Sequence, residues 1–505
     1  MVKVKARRWL ALVPIVVLVA LQSLSISIFG ADAILGPSQV ALLCAAGVCA
    51  AISIALYKTK WQEFEKAIGS NIGEVAGSIV ILLLIGAISG TWTMSGVVPA
   101  FICYGLKIIH PKVFLLTACA LCAIISVLTG SSWTTIATIG VALIGIGRAE
   151  GFSDAMTAGA IISGAYFGDK ISPLSDTTVL ASSVNKVDLF THIRYMLLTT
   201  GPSIIITLIA FTLIGIFHKG ADAQEMSVYA DVLSARFNIT PWLLIVPIIA
   251  GILIWRKLPA IVVLALSALT AAIAALIFQP DVIAELGAKA TEGSHTKIMF
   301  AGIVESIYNS VALETGNANV DGLVATRGML GMLNTVYLVI CAMCFGAFMK
   351  ASGMIADLAG MLTPLTRTRA GLVSTTVFTG TALNGIASDQ YLSVILTSNI
   401  YRESYDKGGY ERRLLSRSVE DSSTVTSPLF PWSSCGMTQA TILSVPTLAY
   451  APFCFFNIIS PLMSILVAII GWKIVRKKCL SLGYETDSGN HRAGGAGSAE
   501  LDSGH

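Results

Sequence analysis

The chain has 505 residues, 55% hydrophobic and 12% charged, with a mean hydropathy of +0.78 and a formal net charge of +4. Soluble globular proteins carry roughly 25% charged residues, so this composition excludes an ordinary soluble domain, and its small positive charge, clustered at the ends of apolar runs, is a topology signal and not a nucleic-acid footprint. Many apolar runs reach roughly 20 residues, the length that crosses hydrocarbon as a helix, and the short alternating segments of an outer-membrane barrel are absent.

The expected class is an all-α polytopic membrane protein. The first run, Trp9–Phe29, follows Lys3, Lys5, Arg7 and Arg8 as a signal peptide would. It is long and no convincing cleavage site follows, so it reads as an uncleaved first span. Further apolar spans fall near 38–57, 76–98, 196–217, 241–255, 259–278, 330–350 and 452–475. More broken stretches fall near 99–109, 113–147, 155–185, 371–400 and 412–450. The polar Gly- and Ser-rich residues 478–505 read as a disordered tail. Cys119/Cys122 and Cys341/Cys344 have metal-like spacing, but each pair lies in an apolar segment without His or acid nearby and reads as core thiols. His192 and His218, near span ends, read as interfacial.

Residues 113–147 are too long for one span and too polar in the middle. Gly130-Ser131-Ser132-Trp133-Thr134-Thr135 suits the tip of a re-entrant helical hairpin. Residues 371–400 repeat the pattern, with Thr379 to Gly385 expected at the tip. Irregular backbone at membrane depth persists only where protein or a wet cavity satisfies it, and its carbonyls and hydroxyls are hard ligands suited to an alkali cation. Residues 155–185 read as a helix broken over Gly168–Pro173, since Pro173 removes a helical hydrogen bond and restricts Ser172. Asp169 and Asp176 flank that break. A second broken helix is expected around Pro428–Pro431, with Glu420, Asp421 and Ser422-Ser423-Thr424 ahead of it.

These features recur. Thr129-Gly130-Ser131 followed by Ser172-Pro173-Leu174 resembles Thr379-Gly380-Thr381 followed by Ser427-Pro428-Leu429. Threading the chain so that most basic clusters lie in the cytoplasm puts both termini inside. The two copies then enter from opposite sides, as in the inverted repeats of many secondary transporters. The expected organisation is scaffold helices at 1–112 and 219–366, with transport repeats at 113–218 and 367–477. Acids at membrane depth usually face a cavity and handle an ion. A carboxylate in a low-dielectric cavity holds a proton more readily than in water, so sodium and protons would compete for it.

The stretch Gly164-Ala-Tyr-Phe-Gly-Asp-Lys-Ile-Ser-Pro-Leu-Ser-Asp-Thr-Thr178 resembles the signature of the NhaC family of sodium/proton antiporters. So do Phe190–Met196, Thr199-Thr200, Ser388–Leu392, Leu415–Ser422 and Thr426–Trp432. The resemblance covers roughly residues 10–475. The signature usually continues Thr-Thr-Asn-Leu-Ala, and here Val179 replaces the Asn. The resemblance implies the ion-transporter superfamily: inverted repeats, re-entrant hairpins, broken helices, and often an elevator-like transport domain on a dimeric scaffold.

The expected function is a sodium/proton antiporter in the inner (plasma) membrane, not an enzyme, working by alternating access as a homodimer without a cofactor. Asp389, Asp169 and Asp176 are the expected sodium and proton ligands, followed by Glu420 and Asp421. Ser131, Ser132, Thr134, Asn384, Ser172, Thr177, Ser422 and Thr424 are expected in the substrate cavity. Asp389→Asn is expected to abolish exchange without preventing folding. The alternative is a sodium-coupled carrier of an amino acid or a small organic acid such as malate or lactate, which would need a cationic anchor; Arg402 or Lys170 are candidates. An intramembrane aspartyl protease is a poor fit, because Tyr166 stands where a Gly-x-Gly-Asp motif needs glycine.

Overall fold

The computed structural model describes residues 9–474 except 109, 219–222, 257, 318–319, 322–323 and 363–367. The expected polar tail lies outside these residues. Among the described residues the regular structure is helical, apart from one isolated bridge between Val311 and Thr326. Among the described residues, seven helices are long and apolar enough to cross a membrane, or nine if two bent helix pairs each count as one span.

The N-terminal part contains α1 (Val13–Phe29), α2 (Pro37–Ile52), the 34-residue α3 (Trp61–Met94) and α4 (Val97–Ile108). The last of these is a continuous helix where a broken stretch was expected. Then comes a hairpin of α5 (Phe114–Thr129) and α6 (Ser132–Ala149). Phe114, at the start of α5, lies against Gly147, at the end of α6, so the chain returns to the side it came from. α7 (Asp154–Ile171) packs along α5, where a Cβ on Gly164 or Gly168 would strike the Cys119 or Ala123 carbonyl. Small residues four apart allow this close approach. The chain is extended at Ser172 and resumes as α8 (Asp176–Val184), followed by the 29-residue α9 (Leu189–Phe217).

The middle of the chain supplies α10 (Ala223–Arg236), α11 (Ile245–Trp255), α12 (Ala260–Phe278), α13 (Pro280–Ala290), α14 (His295–Tyr308), α15 (Leu333–Ala351) and α16 (Met354–Leu362). A second hairpin joins α17 (Arg369–Ala387) to α18 (Gln390–Lys407). Then come α19 (Arg412–Val419), a π turn at Glu420–Thr424, α20 (Ser434–Leu443), and a bent span ending in α21 (Phe455–Ile470).

Two details of the sequence reading are corrected. Thr379–Gly385 lies inside α17, and the second hairpin turns at Ser388–Asp389. Hydroxyl residues need not break a helix: Thr375 and Thr376 donate to the carbonyls of Gly371 and Leu372 one turn earlier. Likewise Gly168–Ile171 stays helical, and the first break spans Ser172–Ser175.

With the tip relocated, the two hairpin–helix units superpose in sequence at a constant offset of 258 residues (130 to 388, 131 to 389). Gly130 and Ser388 are both left-handed. Ser131 and Asp389 each cap the next helix, accepting from Thr134 and Leu392 N–H. Gly151 and Gly409 are left-handed, as are Lys186 and Ser444. Ser175 and Ser433 cap α8 and α20. Ser126 Oγ donates to the Ala165 carbonyl, and Asn384 Nδ2 to the Ser423 carbonyl. The ion pair Arg148–Asp154 becomes Asp406–Arg412 with the charges exchanged. The offset pairs Pro173 with Pro431, not Pro428 as the tripeptides suggested.

Candidate functional site

Three chain breaks meet at one cavity of about 560 Å³. Gly130, Ser131 and Thr134 enter from the first hairpin, Asp169, Leu174 and Asp176 from the first broken helix, and Gln390 and Tyr391 from the start of α18. The opposite wall is Gly77 and Ile81 of α3 with Pro259 to Val263 at the start of α12. Among the described residues lining it, two are carboxylates and none is Lys, Arg or His.

Asp169 sits in the last turn of α7, 4% exposed. Its Oδ2 accepts from the Ser132 N–H (3.1 Å) and Oγ (2.7 Å), so the N-terminal end of α6 faces the carboxylate. A helix start favours negative charge. Asp169 Oδ1 has no hydrogen-bond partner among the described residues. Asp176 opens α8; its Oδ2 accepts from the Tyr391 hydroxyl at 2.7 Å and its Oδ1 from the Thr177 N–H at 2.9 Å.

A separate charged network lies behind this wall. Lys170, next to Asp169, points away from the cavity lining and forms a fully buried ion pair with Asp421. Its Nζ also donates to Ser460 Oγ at 2.9 Å, while Thr199 donates to both Asp421 oxygens at 3.1 and 3.0 Å. Arg417 lies 3.9 Å from Asp421 Oδ2 and 4.8 Å above the Tyr195 ring, also fully buried. Glu420 accepts from Thr177 Oγ1 at 3.3 Å, and its Oε2 has no hydrogen-bond partner among the described residues. Thr177 thus stands between the cavity acids and the buried network.

The family model for the Na+/H+ antiporter family matches residues 2–180 and 164–472. The chain belongs to that family. It is 36% identical over 421 residues to the Na+/H+ antiporter NhaC of Alkalihalophilus pseudofirmus, covering 83% of this chain and 88% of that protein. It is 35% identical over 437 residues to the malate-2H+/Na+-lactate antiporter of Bacillus subtilis, covering 86% and 90%. It is 30% identical over 471 residues to the arginine/ornithine antiporter ArcD of Halobacterium salinarum, covering 92% and 93%.

In this Na+/H+ antiporter family member, the expected site residues divide into three groups. Asp169, Asp176, Ser131 and Thr134 line the cavity, and Ser132 holds Asp169. Thr177, Glu420 and Asp421 belong to the network behind it. Asp389, Asn384, Ser172, Ser422 and Thr424 line neither. Asp389 is buried, caps α18 and accepts from Ser434 Oγ at 3.2 Å. Asn384 ties α17 to the Ser423 carbonyl and to Thr426. Ser172 donates to the Val127 carbonyl, Ser422 to the Ser418 carbonyl, and Thr424 is buried in the π turn. His192, in the first turn of α9, is fully buried, 2.9 Å from Ser416 Oγ. The sequence reading missed the contribution of Gln390 and Tyr391. Their place directly after the capping residue Asp389 was the available signal, because residues at a helix start face whatever the helix end faces.

Proposed function

We propose that the protein exchanges sodium for protons by alternating access, with Asp169 and Asp176 holding the ion. The observation carrying this reading is a cavity with two carboxylates, several neutral oxygen ligands and no basic side chain in its described lining. Sodium takes oxygen ligands, and a carboxylate removed from bulk water accepts a proton in the ion's absence. One site can therefore be neutralised by either cation but not by both. Because the cavity lies between 113–218 with 390–391 on one side and α3 with α12 on the other, movement of the two repeats against the scaffold would expose it alternately. The 258-residue correspondence supports reading the repeats as an inverted pair. We place both termini in the cytoplasm of a cell with the protein in its plasma membrane, as a homodimer.

An organic-acid carrier would need a cationic anchor in this cavity. Lys170 is engaged by Asp421 and Ser460, and Arg402 donates to the Val184 carbonyl at 2.6 Å. Neither lines the cavity. The test is dissipation of a pH gradient in proteoliposomes on adding sodium, lithium, malate or lactate separately. Sodium alone should collapse the gradient. A response that requires malate or lactate would overturn the proposal.

A further inference from the structure

We propose that Cys49, Met349 and Met354 form a binding site for one copper(I) ion in the scaffold, apart from the acidic cavity. Three chain segments bring the sulfurs together. Cys49 lies in the last turn of α2 and Met349 in the last turn of α15, which packs along α2. Gly353 is left-handed (φ +74°), and this turn starts α16 at Met354 and returns it to the same thiol. Cys49 Sγ stands 3.6 Å from Met349 Sδ and 3.7 Å from Met354 Sδ, and all three side chains are fully buried. The Ser53 and Ser352 hydroxyl oxygens each lie 3.9 Å from the same sulfur. Their hydrogens are committed elsewhere: Ser53 Oγ donates to the Cys49 carbonyl at 2.6 Å, and Ser352 Oγ to the Met349 carbonyl at 3.0 Å. Four atoms bearing lone pairs therefore converge on one thiol, which has a single hydrogen to offer them. A cation in place of that hydrogen answers several of them at once.

The donor set selects the ion. Thioether and thiolate sulfurs are soft and suit copper(I), whereas sodium takes oxygen. Cys49 yields its proton to water on binding, as metal-bound thiols do. The thiolate with a monovalent ion then leaves no net charge in the buried site. Zinc(II) on the same three sulfurs would bury an extra positive charge, which is costly. A metal ion sits about 2.3 Å from a bound sulfur, so three sulfurs in a plane around it stand about 4 Å apart. Cys49 is within a few tenths of an ångström of that spacing from both methionines, and the flexible methionine side chain can open the difference. An approach exists at the turn, where Gly353 is exposed and a Cβ would meet no atom within 4 Å. None of the three sulfur-bearing residues lines the acidic cavity.

The test titrates copper(I), without oxygen, into the purified full-length protein against bicinchoninate, a chelator whose colour reports the copper that the protein does not hold. The chain carries 14 methionines and 10 cysteines, so the reading is the difference between wild type and variants. Wild type should hold one more copper(I) per chain than the double variant Met349→Leu with Met354→Leu, and one more than Cys49→Ser. Each single methionine variant should bind at least about tenfold more weakly, a loss usual even for changes around a metal's own ligands. Leucine keeps the methionine volume, and unfolding temperatures without copper check that the variants fold. Cys44→Ser, at an exposed cysteine, should hold as much copper as wild type. Copper(I) should raise the unfolding temperature of wild type and not that of the double variant. X-ray absorption at one equivalent should show sulfur neighbours around the copper. Equal copper binding in wild type and the double methionine variant would overturn the proposal. So would zinc(II) held as tightly as copper(I) at these residues, or copper surrounded by oxygen and nitrogen alone.

Discussion

The two hairpin–helix units share a backbone but not their charges. Both use a left-handed residue, then a capping oxygen, at the hairpin tip, and both resume the broken helix with a serine cap. In the first unit Ser132 donates to Asp169; at the matching positions of the second, Ser427 donates to Gln390 Oε1 at 3.3 Å. The first unit turns its carboxylates to the cavity, and the second keeps Glu420 and Asp421 behind it. The two units therefore share the backbone that forms the opening and differ in the side chains placed around it.

The largest expected effect concerns the pair without a counterpart. Lys170 and Asp421 match Pro428 and Ser163 across the offset, so their ion pair exists once. Removing one partner strands the other's charge in a buried site. Lys170→Met or Asp421→Asn should cost about 3–5 kcal/mol of stability, read by thermal unfolding in detergent. Lys170→Met with Asp421→Leu should recover most of the loss. An undiminished loss in the double variant would show that the pair does more than balance charge.

The next effect separates matched positions. Asp169→Asn should lower sodium-driven exchange roughly a hundredfold, about 2.7 kcal/mol by the usual conversion, with the fold intact. Ser427→Ala, at the matching position, should change it by less than about threefold. Equal losses would mean that the second unit binds the ion as well.

A smaller effect should be the same in both units. Ser175→Ala and Ser433→Ala each remove a helix cap, and each should cost about 1 kcal/mol of stability. A large inequality would break the claim that the backbone device is shared.

The smallest concerns Glu150, just beyond the end of α6, where the second unit has Gly408. Burial raises the Glu150 pKa to about 7. The folded protein then holds a proton that the unfolded chain releases at lower pH. This contribution is present below the unfolded value of about 4.5 and lost as pH rises through about 7. The unfolding temperature of the wild type should fall relative to that of Glu150→Gln as pH rises from 5 to 8. A constant gap would contradict the assignment.

Much of this was legible in the sequence because its signals are local. Pro173 marks the first break, and Asp169 and Asp176 flank it as the spacing required. The second tip was misplaced because the reading followed a Thr-Gly pair. The turn needs only a left-handed residue before a cap, and Ser388 with Asp389 supplies that without glycine. The Lys170–Asp421 pair was not legible at all, since its members stand 251 residues apart and no periodicity links them. Arg417, in the same network, reads from sequence as one more surface base beside Arg412 and Arg413, yet it is fully buried.

The central claim is that the first unit's carboxylates hold the sodium ion. Calorimetric titration of sodium into the purified protein tests it most directly, comparing wild type with Asp169→Asn, Asp176→Asn and Asp389→Asn, each shown to be folded. The account predicts that binding is lost in the first two variants and retained in Asp389→Asn. Binding retained in both Asp169→Asn and Asp176→Asn but lost in Asp389→Asn would contradict it.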